Sequence, residues 1–245
     1  MFNGFYAVLY REISIFRKRL KKQLLSQSLS PLLYLIAFGW GMGNSVVVGN
    51  MSYMSFLIPG LITMNSLNQS YAISGEMNIS RFYFHTFEQY LTAPVSHFEI
   101  VLGEAVFGVL RGVLSGLMIF AFAVVFNVKL QFNAVFIPAL LLHTFLFASL
   151  AVTTSMVVKD HAGQALVNNF VITPMIFLCG TFYPVDRLPV FFKAVVYMLP
   201  LTYSVKVIRA SLTGGEINPL YMLLLFAYSV VFFLTAVVAL KKVES

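Results

Sequence analysis

The stretch IVLGEAVFGVLRGVLSGLMIFAFAVVFNV, residues 100–128, decides the fold class. Its only charges are Glu104 and Arg111. About 20 predominantly apolar residues in a helix cross the hydrocarbon core of a bilayer, and this run exceeds that length. Five further apolar stretches occupy residues 28–47, 54–75, 132–158, 162–180 and 219–240. The whole chain of 245 residues is 59% hydrophobic and only 10% charged, against about 25% charged in a soluble domain. Its mean hydropathy is +0.86. Such a chain needs lipid as its outer solvent. A membrane barrel would show short alternating segments instead. The sequence therefore predicts one all-α integral membrane domain over 1–245, with six transmembrane helices.

Residues 2–22 read as an amphipathic helix. Phe2, Phe5, Leu9, Ile13, Phe16 and Leu20 recur at steps of three and four, opposite Arg11, Lys18 and Lys22. The expectation is an interfacial helix, rings in the acyl boundary and cations among headgroups. The basic stretch is too long for a cleavable signal peptide, and no small-residue cleavage site follows it. The net charge is +7. Its concentration before the first span points to anionic lipid and topology rather than nucleic acid. With the N-terminus cytoplasmic, Arg81, Lys159, Lys241 and Lys242 fall on the same side as the N-terminal cluster. Lys129, Arg187, Lys193, Lys206 and Arg209 fall outside. Both termini are thus expected in the cytoplasm. The single cysteine, Cys179, excludes an internal disulfide.

Catalytic signatures are lacking. There is no phosphate-cradling glycine loop with Lys-Ser/Thr, so ATP is not expected on this chain, and there is no His-Glu-x-x-His zinc motif. His85, His97, His143 and His161 are scattered, so no metal is expected. His143, inside the fourth span, reads either as a ligand or proton relay or as a hydrogen-bonded packing group.

Polar groups inside the spans are informative because amides facing lipid are costly. Asn65, Asn68 and Gln69 share one face of the second span. Two readings stand: a lining that meets substrate headgroups, or interhelical hydrogen bonding. Asn168, Asn169 and Thr173 raise the same question in the fifth. Glu104 and Arg111 share a face of the third span, where mutual or cross-helix pairing is expected. Gly108, Gly112 and Gly116, with Gly39 and Gly43 in the first span, let helices approach closely.

Two segments do not span. Residues 78–94 alternate aromatics with polar groups, which suits a short helix that docks on a soluble partner or lies on the membrane. Residues 181–218 contain a largely apolar stretch, 188–201, too short to cross. A re-entrant or interfacial hairpin is expected there, with non-helical backbone buried or wetted.

These segments carry a resemblance. HTFEQYLTAPVS at 85–96, then IVLGE at 100–104, resembles the cytoplasmic loop of type 2 ABC transporter permeases. CGTFYPVDRLP at 179–189, then LPLTY at 199–203 and Arg209, resembles that family's C-terminal signature. The order of both blocks and the six spans agree, so the resemblance covers essentially the whole chain. It is nearest to the group of nodulation-factor (lipo-oligosaccharide) exporters, alongside O-antigen, teichoic-acid and drug exporters. One departure is His85, where the family often has Gly.

The resemblance implies a bacterial inner-membrane permease moving an amphiphilic or lipid-linked substrate. Two copies, as a homodimer, would form the core, and two separate ABC ATPase subunits would hold ATP and Mg. The loop helix at 84–91 would couple to the ATPase through Phe84, Thr86, Phe87, Glu88, Leu91 and Pro94. Spans one, two and five would line the route, with Asn65, Asn68, Gln69, Asn169, Thr173 and Phe177 along it. The hairpin would gate it through Phe182, Tyr183, Pro184, Leu188, Pro189, Pro200 and Tyr203. Readings from other classes are a membrane-embedded lipid-modifying enzyme, or a channel or scaffold without an ATPase.

Overall fold

The computed structural model describes residues 3–41, 47–48 and 51–244. Helix α1, Asn3–Tyr34, runs without a break into a π-helical segment, Leu35–Trp40. The surface helix and first span expected as separate elements are therefore one rod. Residues 20–30 hold no glycine or proline to part them. Pro31 sits inside the rod, where it deprives the carbonyl of Gln27 of its helical donor. The apolar face of residues 5–20 is only partly covered by protein. Phe16 is buried, its ring meeting Phe107 edge-on at 5.7 Å, whereas Phe5, Leu9 and Leu20 are half-buried and Ile13 is exposed. Phe2 and Gly43 lie outside the described residues.

A two-residue ribbon, β1 Val47–Val48 with β2 Met51–Ser52, leads to α2, Tyr53–Tyr71. The Ser52 hydroxyl caps α2 by accepting from the Ser55 N–H. After a turn at Ala72 the chain continues as α3, Ile73–Phe82. The loop helix α4 spans only Glu88–Thr92. The helix expected from Phe84 starts later because His85 adopts a left-handed backbone, φ 51°. That conformation favours glycine and is tolerated by His.

Helix α5, His97–Val125, opens on a capping box made by Ser96 and Glu99. Helix α6 covers Phe136–Val157. Helices α7, His161–Val167, and α8, Thr173–Leu178, are joined by a second π-helical segment, Asn168–Ile172. The hairpin consists of α9, Val190–Tyr197, and α10, Pro200–Thr213, meeting at 87°. Helix α11, Pro219–Glu244, ends the chain.

Among the described residues three helices, α5, α6 and α11, are long and apolar enough to cross a membrane, or four if the bent α9–α10 pair is taken as one span. Of the other stretches expected as spans, α2 is interrupted by Asn65, Asn68 and Gln69, and residues 162–180 are divided among α7, the π-helical segment and α8, none of them long enough alone. Helix α2 is the hub, with Leu57, Ile58, Leu61, Ile62 and Leu67 fully buried. The glycine spacing of α5 works inside the chain. A Cβ at Gly112 would strike Ser70 of α2, and one at Gly108 would come 2.6 Å from Ala148 of α6.

Candidate functional site

An uncharged cavity of about 380 Å³ lies between α1, α2 and α8. Helix α1 contributes Ser26, Gln27, Ser30 and Tyr34; α2 contributes Met64, Asn65, Asn68 and Gln69; α8 contributes Thr173, Ile176 and Phe177. Five of the six residues expected along the route thus meet in one place. Asn169 does not; it is exposed in the π-helical segment, away from the lining. Asn65 lines the cavity and its amide also donates to the Ser115 hydroxyl on α5, the interhelical bond expected of it. Asn68 is exposed to the cavity side. The two π-helical segments flank this cavity, one following Tyr34 and one preceding Thr173. Such segments are rare and recur at functional sites. The α1 contribution was legible only in part: Gln27 and Ser30 repeat at a helical step, but the span was read for its apolar content.

Above the cavity four rings cluster. Phe182 lies 5.4 Å from Phe177, 5.4 Å from Tyr34 and 6.0 Å from Phe38. The Tyr53 hydroxyl donates to the Phe182 carbonyl at 3.0 Å. Of the other hairpin residues singled out, Pro184 and Pro189 precede short helical turns, and Pro200 begins α10, where a missing N–H costs nothing. The Tyr203 hydroxyl donates to the Tyr197 carbonyl at 2.6 Å and so closes the bend. Tyr183 and Leu188 are half-buried at its edge.

The opposite end of α1 carries charge. Arg11 donates to the Tyr90 hydroxyl at 2.6 Å and pairs with Glu12 at 2.7 Å. The Tyr90 O–H faces two carboxylates, Glu12 at 3.3 Å and Glu104 at 3.5 Å, and its single proton serves one at a time. Burial pushes the Glu12 carboxyl up. Burial, reinforced by Glu104 and Glu12, pushes the Tyr90 hydroxyl up, so it remains a donor. Arg111 pairs with Glu76 at 2.7 Å, not with Glu104. The cross-helix alternative therefore holds for Arg111, whose side chain is buried between the Phe16 and Phe107 rings. Arg11, Glu12, Glu76 and Tyr90 were missed, because only the fold brings α1, α3, α4 and α5 together.

The loop segment presents a mixed surface. Phe84, Glu88 and Pro94 are exposed, and Glu88 lies 3.3 Å from His85. Thr86 bonds Ser80, while Phe87 is buried and points into the bundle. Leu91 is on α4, but its side chain lies outside what is described. His143 takes the packing role: its Nε2 meets the Thr63 carbonyl at 3.0 Å in a fully buried site.

Comparison with known proteins agrees with this architecture. The family model for the ABC-2 type transporter membrane domain matches residues 3–213. Nodulation protein J of Rhizobium meliloti (strain 1021) is 30% identical over 245 residues, covering 96% of this chain and 92% of its own length. The inner membrane transport permease YadH of Escherichia coli (strain K12) is 31% identical over 226 residues, covering 91% and 87%. Nodulation protein J of Rhizobium leguminosarum bv. viciae is 30% identical over 247 residues, covering 96% and 93%. A family model that spans most of the chain, with relatives aligned nearly end to end, means that this chain is a membrane transport permease of the ABC-2 type transporter family.

Proposed function

We propose that this chain is the transmembrane subunit of an ATP-driven exporter for an amphiphilic or lipid-linked substrate. Two copies form the route, and two ABC ATPase subunits, which hold ATP and Mg, sit against the cytoplasmic loops. The chain lies in a bacterial inner membrane with both termini cytoplasmic and six spans, α1, α2 and the α7–α8 helix completing the three apolar ones. The carrying observation is the cavity that unites Asn65, Asn68, Gln69, Thr173 and Phe177. Its walls offer amide and hydroxyl donors and acceptors, two aromatic rings and no charged side chain. That chemistry suits a neutral polyhydroxylated headgroup better than a phosphate or a cation. The hairpin residues 182–203 act as the outer gate.

Coupling is assigned to the 84–94 segment. Phe84 and Glu88 face outward for the ATPase, while Phe87 and Tyr90 face inward and carry the motion to α1 and α5. The test is co-purification with an ATPase subunit, followed by ATP-dependent movement of glycolipids and drug-like amphiphiles into inverted vesicles. Glu88→Arg should insert and assemble normally but lose substrate-stimulated hydrolysis. Wild-type stimulation in that variant would overturn the coupling assignment. Absence of any ATPase association would overturn the exporter reading.

A further inference from the structure

The turn between α8 and the hairpin is held in an unusual manner. Gly180 has φ +90°, a conformation that side chains resist. Three consecutive carbonyls of this turn are taken by side chains from elsewhere. Arg209 of α10 donates through Nη2 to Gly180 O at 2.8 Å and to Thr181 O at 3.4 Å. Tyr53 takes Phe182 O. The same guanidinium donates through Nε to Phe56 O at 3.3 Å and lies 3.8 Å over the Phe56 ring. Arg209 thus binds the turn to the first turns of α2. The approach is so close that a Cβ at Gly60 would collide with the Thr181 carbonyl.

The consequence falls on Phe182. Its backbone is fixed by Tyr53 and by the preceding two residues, and its ring stacks on Phe177 and touches Tyr34, both of which line the cavity. We infer that Arg209 is a positioning residue of the closed gate: it straps the Gly180–Thr181 backbone to α2 and thereby holds the Phe182 ring across the end of the cavity, with Tyr53 as its second strap. The inference rests on the proposed route through that cavity. Arginine suits the task because one planar fork reaches carbonyls on two elements at once. Lysine's compact ammonium lacks that fork and cannot span both elements as well.

Cys179, the only cysteine, lies fully buried immediately before the turn and reports on it. The experiment uses the full chain in liposomes, with two readouts: the rate of Cys179 modification by a maleimide, and ATP-independent efflux of trapped carboxyfluorescein. Losing charge-assisted bonds to the turn in Arg209→Gln should raise both by about ten-fold. Arg209→Lys should fall between this and wild type. Tyr53→Phe, which removes one hydroxyl, should raise both by about three-fold and keeps the test sharp if Arg209→Gln fails to fold. Phe182→Ala should raise efflux as Arg209→Gln does, and the double variant should add nothing further.

Wild-type labelling and efflux in Arg209→Gln and Tyr53→Phe would overturn the inference. Efflux through Phe182→Ala with Arg209→Gln silent would also overturn it, leaving the route intact. Faster labelling with no efflux from any variant would instead overturn the route, because the turn would then have opened onto nothing.

Discussion

Helices α5, α6 and α11 differ from α1, α2 and the α7–α8 helix in what they bury and what they leave open. The first three are each one long apolar run, and α5 is set against α2 and α6 by Gly108 and Gly112, which leave no room for a Cβ. The second set carries Gln27, Asn65, Asn68, Gln69 and Thr173, contains Pro31 and Pro59, and includes both π-helical segments. A membrane helix pays for polar groups and irregular backbone unless they meet protein or a watery cavity. One set therefore serves as scaffold, while the other encloses the cavity. In α2 the division runs through a single helix: its Ser66 and Ser70 side meets Gly112 of α5, and its Asn68 and Gln69 side meets the cavity.

That contrast can be broken most severely at the scaffold. Gly112→Leu would force α5 away from Ser66 and Ser70, at a cost of about 1–3 kcal/mol or more. Loss of the monodisperse peak in detergent, with a lower melting temperature, is the expected result. Asn68→Leu, on the open side of α2, should leave melting within about 0.5 kcal/mol of wild type. Equal stability of the two variants would erase the distinction. A middle-sized effect is expected at the charged end of α1. Tyr90→Phe removes the hydroxyl that Arg11 donates to and that faces Glu12 and Glu104, costing about 1–3 kcal/mol. Substrate-stimulated hydrolysis by the partner ATPase should fall more than stability does. A smaller loss than that of Tyr90→Phe is expected at the start of α5. Ser96→Ala deletes half of the capping box and should cost about 1 kcal/mol, with no change in transport once folded.

Legibility in the sequence followed the same division. The apolar set was readable from hydropathy alone, to within a few residues at each end, because each of those helices is one long apolar run. The polar set was readable as polar, and the amides of α2 stood out as unsuited to lipid. What hydropathy could not reveal was the third wall. Ser26, Gln27 and Ser30 are unremarkable in sequence and matter only because α1 continues unbroken past residue 22 and lies beside Asn68. The Arg111 partner was hidden for a similar reason: Glu76 is 35 residues away and reaches it across helices. The loop helix was placed too early because a left-handed residue at His85 leaves no periodic trace.

The cavity between α1, α2 and α8 is the centre of the account, and filling it is the most direct test. Asn68→Trp places an indole where the lining is open and away from the α5 contact of α2. In inverted vesicles containing the chain with the proposed ATPase, ATP-driven uptake of amphiphile should fall at least about ten-fold, the equivalent of about 1.4 kcal/mol, while assembly and basal hydrolysis stay at wild-type levels. Wild-type uptake in that variant would contradict the assignment of this cavity as the route.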